Sequence, residues 1–300
     1  MSKDYQNEHF ETQGYTIIDE AFSEEELLLF QKTFKKVIKC ILGRAIKDFP
    51  QLGKYCKSDN YDEILLALRY ANPEYVSIIQ RIISRSPEFY RLSSSQKLFG
   101  SIRELLYLPD ESPLYLLSNG IVFTNPNDKE NKRTSNFELD WHQDTFFTIP
   151  QSHFVQFWGP VFHDSTEDLG TLVVCPGSHK NGYGKQRIHT EISFNHRFSM
   201  EPSEIEKYQP ISINLKLGQI LVFHGHLIHA SGYNSSKKVR MTILGLCHDA
   251  SRDECVPVST KYLYHGKTPE AWFYDLYGEK KAKEIMYEQA APIGEPPGGI

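Results

Sequence analysis

The sequence predicts a mainly β fold with flanking helices, a barrel or sandwich with a helical N-terminal third packed on one outer face. Three observations carry that expectation. From Tyr115 onward, short β-prone runs are separated by clusters of Gly, Pro, Asn and Asp, as in barrels and sandwiches of many short strands. Before that point, apolar residues recur at helical spacing. The chain is also long enough: 300 residues, 40% hydrophobic and 13% aromatic, can enclose a sizeable core, and single β-barrel domains reach about 200–250 residues.

Ser23 with Glu26 reads as a capping box, and Leu27, Phe30, Phe34, Val37, Ile38 and Ile41 then keep helical spacing as far as Gly43. Further helices are expected over 61–71, 74–84 and 95–107, with Pro73 and Pro87 as punctuation. Strands are expected over 115–124, 154–162, 171–174, 211–215, 220–223 and 240–247. Two polar insertions, 125–136 and 183–210, are expected to border the mouth of the barrel and act as lids. A helix over about 269–289 closes the chain before a Pro- and Gly-rich flexible tail, 291–300. The expected organisation is a single domain over 1–290, with a helical part at 20–110 and a β core at 114–250.

Charge and cysteine usage narrow the function. With 33 Lys+Arg against 38 Asp+Glu, nothing advertises a basic nucleic-acid surface. The polar start Met1-Ser2-Lys3-Asp4-Tyr5 lacks the apolar core of a signal peptide, and no run approaches the length of a membrane span. Five cysteines, Cys40, Cys56, Cys175, Cys247 and Cys255, are scattered without metal-finger spacing. Reduced thiols in a cytoplasmic protein are the plain expectation, with a small-molecule substrate and neither nucleic acid nor membrane as partner. Oligomeric state leaves no signal in the sequence.

His142 and Asp144 lie two positions apart, so on a strand they would point to one face while Gln143 points away. His229 is the third candidate ligand. Two imidazoles and one carboxylate hold non-haem Fe(II) on one face and leave the opposite face open; the same set also suits catalytic zinc. Arg240, eleven residues after His229, supplies a bidentate fork for a carboxylate co-substrate, a group for which a zinc hydrolase has no obvious use. Among 12 histidines a chance His-x-Asp is unremarkable, and His163-Asp164 and His248-Asp249 show how readily the two residue types fall together. His224 and His226 share strand parity and crowd the site in sequence. Phe146 and Phe147 are candidates for the substrate pocket or the core.

The surroundings of these residues resemble the phytanoyl-CoA dioxygenase family. The resemblance rests on Trp141-His142-Gln143-Asp144, on Trp158 followed by Asp164-Ser165-Thr166, and on Gly170-Thr171-Leu172-Val173-Val174-Cys175-Pro176-Gly177-Ser178-His179. The run from Gly218 to Asn234, Arg240, and the opening Phe10-x-x-x-Gly14-Tyr15 with Glu24-Glu25-Glu26-Leu27 extend it over roughly residues 8–250. It implies a double-stranded β-helix (jelly-roll) core, Fe(II), and 2-oxoglutarate and O2 as co-substrates. It also implies that His142, Asp144 and His229 ligate iron, that Arg240 and the Ser231 hydroxyl hold the distal carboxylate of 2-oxoglutarate, and that Trp158 lines the co-substrate pocket. His224 then becomes a packing or supporting residue and His226 a residue of the pocket mouth or surface. Asp168-Leu169-Gly170 and Gln219 depart from the family's usual pattern, both in expected turns.

Related halogenases carry a small residue in place of the carboxylate. This chain keeps Asp144, which disfavours halogenation. Hydroxylation of an unactivated C–H bond, with release of succinate and CO2, is the expected reaction, in a natural-product setting. Desaturation, epoxidation or cyclisation on the same ligand set is the alternative, and a non-catalytic metal-binding jelly roll is another. The two insertions are expected to choose the substrate.

Overall fold

Helices dominate the first hundred residues, which also supply one strand, and the other strands of two facing sheets come after them. The computed structural model describes residues 3–126, 139–144, 154–182, 184, 186–188, 198–252, 278 and 280. α1 (Lys3–Gln13) leads into β1 (Tyr15–Ile18) through Gly14, whose φ of +84° suits glycine. A Cβ there would also strike the His179 ring at 2.4 Å. α2 (Glu24–Asp48) begins with the expected capping box: the Ser23 hydroxyl accepts from the Glu26 N–H, and the Glu26 carboxylate accepts from the Ser23 N–H. It runs past Gly43, because Leu42 and Ala45 continue its buried stripe. α3 (Tyr61–Ala71) is capped by Asn60, and α4 (Pro73–Ile83) by Asn72 with Pro73 in the first turn. α5 (Pro87–Ser93) and α6 (Gln96–Leu105) start from the Ser86 and Ser95 caps.

The larger sheet is antiparallel, with strand order β1-β8-β3-β10-β2, where β2 is Leu114–Thr124, β3 Phe154–Pro160, β8 Ile220–His224 and β10 Arg240–Asp249. Opposite it lies a smaller sheet of order β7-β4-β9, from β4 (Leu172–Val174), β7 (Ile211–Ser212) and β9 (His229–Ser231). β5 (Gln186–Ile188) pairs antiparallel with β6 (Phe198–Met200), and a short α7 (Pro202–Ile205) follows. Helical residues outnumber strand residues, so the β character belongs to the core rather than to the residue count.

Side-chain alternation gives the larger sheet two buried faces. Val155, Phe157, Ile220, Val222, Met241 and Ile243 face the helices and join Phe30, Phe34, Ile38, Ile64 and Leu68 in the main core. Tyr15, Trp158, Leu221 and Phe223 face the other way, against Leu172, Val174, Ile213 and Leu215. That inner space, between the two sheets of the jelly roll, is where the candidate site lies.

The turns bear out the two family departures as loop features. Gly170 takes φ +76° close against the Gly232 carbonyl, and the Gln219 amide oxygen accepts from the Lys216 N–H. The strand expected over 211–215 is only two residues long, followed by a single bridge at Leu215. Parts of the two expected lids (127–136 of the first, most of 183–197 in the second), Phe146, Phe147, the helix over 269–289 (apart from positions 278 and 280) and the tail lie outside the described residues.

Phe34 is fully buried and touches Phe30, Phe123 and Phe162, joining α2 to the sheet. Phe34→Ala is expected to cost about 3–5 kcal/mol through lost burial and the cavity left behind, measured by chemical denaturation against the parent protein.

Candidate metal centre

His142 and His229 meet through their backbones. Each N–H donates to the other's carbonyl, at 2.9 and 3.0 Å, in a single antiparallel bridge. His229 belongs to β9, opposite Val174, and so points into the inner space with Leu172 and Val174. The strand expected around His142–Asp144 is therefore reduced to one bridge, and Asp144 sits in a bend beyond it. Its carboxylate still reaches both rings: Oδ1 lies 3.3 Å from His142 Nε2 and Oδ2 3.6 Å from His229 Nε2. The three side chains are the one group of potential metal ligands found among the described residues, with ligand atoms within 4.8 Å of one another.

The backbone sets the tautomers. His142 Nδ1 contacts the Asp140 carbonyl at 2.6 Å, and His229 Nδ1 the Leu227 carbonyl at 2.9 Å. A carbonyl only accepts, so both Nδ1 atoms donate and both Nε2 lone pairs face Asp144. Lone pairs on two imidazoles and a carboxylate converge, and only a cation, a proton or a metal, resolves that. A divalent ion that prefers nitrogen and oxygen ligands fits this donor set.

The electrostatics agree. Burial alone would raise the Asp144 carboxyl, but His142 and His229 outweigh it and hold the group well below the usual carboxylate range. Burial also works against a charged His142, yet Asp144 and the Asp140 carbonyl more than offset it and raise its pKa. His229, desolvated and next to His142, is lowered. These directions favour a proton on His142 over one on Asp144 or His229.

Arg240 opens β10 on the same inner face, 2% exposed. Its Nη2 donates to the Thr124 hydroxyl at 2.8 Å, and its guanidinium carbon lies 5.6 Å from the centre of the Trp158 ring. Phe223, from the same inner wall as Trp158, rests its ring 4.9 Å from that of His229. Arg240 and the triad therefore face the same inner space between the two sheets.

The profile of the phytanoyl-CoA dioxygenase (PhyH) family matches residues 10–242. The chain belongs to the phytanoyl-CoA dioxygenase family. It is 34% identical over 131 residues to phytanoyl-CoA dioxygenase of Arabidopsis thaliana, covering 43% of this chain and 44% of that protein. With peroxisomal phytanoyl-CoA dioxygenase of Mus musculus it shares 25% over 268 residues, covering 85% of this chain and 70% of the mouse protein. The chain thus spans less than half the length of the plant relative. Among solved structures, the epimerase SnoN in complex with Fe3+, alpha ketoglutarate and nogalamycin RO superposes with TM-score 0.54 at 15% identity, covering 83% of this chain and 84% of that one. EctD from S. alaskensis with bound Fe gives 0.51 at 17%, covering 84% and 78%. At such identities the structures attest the shared fold.

The remaining positions singled out in this family member are also placed. Gln143 points away from the triad, its amide donating to the Gly182 and His226 carbonyls and accepting from the Gly184 N–H. Ser231 shares the face of His229, and its hydroxyl accepts from the Leu139 N–H at 3.2 Å, tying down the stretch that leads to His142. His224 falls on the outer parity of β8 and packs against Phe10 and His179, while its Nδ1 accepts from the half-buried His226. Two supports escaped sequence reasoning. Thr124 is visible only once β2 is set in register with β10. Asp62 looks like an ordinary first-turn acid of α3, yet it accepts from the Val239 N–H at 2.8 Å and pairs with His163 at 2.9 Å, pinning the chain just before Arg240.

Two outcomes are expected. Asp62→Ala should lower stability by about 1.5–3 kcal/mol, the range for hydrogen bonds to a charged group, and should weaken whatever Arg240 binds; denaturation and ligand titration check the two parts. Metal uptake must displace the proton on His142, whose pKa is raised, so affinity should fall about tenfold per pH unit below that pKa. Anaerobic Fe(II) titrations from about pH 8 to about pH 5 measure it, and a flat profile contradicts the assigned proton.

Proposed function

We propose that the protein is an Fe(II)- and 2-oxoglutarate-dependent dioxygenase that hydroxylates an unactivated C–H bond of a small molecule, with release of succinate and CO2. The carrying observation is the convergence of His142, Asp144 and His229 in the same enclosure as Arg240. His142, Asp144 and His229 hold the metal. Arg240 grips the distal carboxylate of 2-oxoglutarate, Thr124 steadies the guanidinium, Trp158 walls the pocket, and the Ser231 hydroxyl, which accepts from the Leu139 N–H, lies on the face of His229 to assist Arg240. When bound, iron with its keto-acid co-substrate supplies the oxidising power from O2. The chain's task is to orient the reactants and exclude water, and a carboxylate brings a full countercharge to the buried guanidinium.

Asp144 favours hydroxylation over halogenation. Cyclisation, desaturation or epoxidation is the alternative within the same ligand set, and the carbocyclase SnoK from nogalamycin biosynthesis shares the fold at TM-score 0.51. A natural-product substrate is the favoured setting. We assign one oxygenase domain to 1–290, and a cytoplasmic location from the free thiols of Cys40 and Cys56.

Absorption spectroscopy under anaerobic conditions tests the reading. Adding Fe(II) and then 2-oxoglutarate should give a visible metal-to-ligand charge-transfer band. His142→Ala and His229→Ala should abolish it. Arg240→Ala should raise the 2-oxoglutarate midpoint at least about 30-fold, since removing one partner of a buried charge pair costs upward of about 2 kcal/mol. No band with iron verified as bound, or an unchanged midpoint in Arg240→Ala, refutes it.

A further inference from the structure

One buried polar group in the enclosure has no role in holding either metal or co-substrate. Gln156 is 4% exposed, and its Nε2 makes no hydrogen bond within the described structure. It lies on β3 between Phe154 and Trp158, on the inner parity, because its neighbours Val155 and Phe157 belong to the core beneath the helices. A buried amide left without a partner is costly, and native proteins retain one chiefly where a ligand completes it.

Its position separates two ends of the enclosure. Trp158, two residues away and about 7 Å along the strand, carries the Arg240 guanidinium and marks the carboxylate end. Gln156 stands opposite Phe223, whose ring rests on His229, so it is level with the triad. One step further from Arg240, Phe154 stacks on His248 at 4.9 Å. A co-substrate stretched from Arg240 to the triad leaves the Gln156–Phe154 side for the second reactant.

Resting on the oxygenase reading, we infer that Gln156 is a substrate-binding residue, its amide donating to a carbonyl or carboxylate oxygen of an oxygenated small molecule. A plain hydrocarbon chain leaves that donor unsatisfied and is a poor fit. The amide selects the substrate and sets its depth beside the triad.

Gln156→Met keeps the length of the side chain and removes the amide. Three readouts are compared with the parent protein. The metal-free variant should melt about 2–4 °C higher, because a buried unsatisfied group is lost. The charge-transfer midpoint for 2-oxoglutarate should stay within about twofold. In the parent Fe(II)–2-oxoglutarate complex, cyclic ketones, lactones and small carboxylates should perturb the band while cycloalkanes of equal size do not; the variant should need at least about tenfold more probe, the loss of one hydrogen bond to a buried group. A lower melting temperature, a 2-oxoglutarate midpoint shifted beyond about fivefold, equal response to hydrocarbons, no response to any probe, or a variant equal to the parent overturns the inference while leaving the oxygenase reading standing. A parent protein that forms no band overturns both.

Discussion

The larger sheet must bury both of its faces, and the rest of the molecule depends on that constraint. All seven residues of β3 are buried, so each side chain goes either to the helices or to the inner space, and a slip of one residue would exchange them all. Along the middle of these strands the helix side takes apolar groups, Val155, Phe157, Val222, Met241 and Ile243. Buried Gln156, Arg240 and Thr242 lie on the inner side. The site is thus written as polar interruptions in otherwise apolar strands. Whatever fixes the register of the sheet also fixes the chemistry.

Within the enclosure the cost of burying charge is limited by pairing and geometry. Asp144 is balanced by two imidazoles, and Arg240 rests on a hydroxyl and an aromatic face, to which a carboxylate ligand adds a full countercharge. The rings are held before any metal arrives. Reciprocal backbone bonds set His142 opposite His229, and the Asp140 and Leu227 carbonyls grip the far nitrogens. Such support keeps ligand atoms near their working positions at little entropic cost on binding. Asp144, in a bend rather than a strand, is the ligand whose place depends most on the chain beyond it.

Much of this was legible in the sequence, and the gaps have physical causes. The capping box at Ser23 and the apolar stripe of α2 are local signals, as are the long runs that became β2, β3 and β10. The triad and Arg240 were legible because ligand chemistry restricts residue type and the family pattern restricts spacing. α1 was missed for want of a strong apolar stripe, and β9 because three residues give no period. Gly43 reads as a stop, but it lies inside α2, where burial of Leu42 and Ala45 outweighs its weak helix propensity. Thr124 and Asp62 support Arg240 from 116 and 177 residues away along the chain (the latter through Val239); such partners depend on register, which no local pattern reveals.

Specificity resides in the wall around the site rather than in the fold. An epimerase and a carbocyclase share this fold, so the jelly roll alone does not select the reaction. On the proposed reading, the triad sets where oxidation begins, and Arg240 sets the direction from which the co-substrate enters. What remains variable is the wall level with the metal and beyond it. In this chain that wall carries one amide among Phe154, Phe223 and Leu246, each of them buried. An unsatisfied amide donor among these apolar side chains discriminates more sharply than shape alone, because a substrate lacking the matching acceptor leaves it unpaired in the complex as well. Reaction outcome then depends on which C–H bond that one contact holds nearest the three ligands.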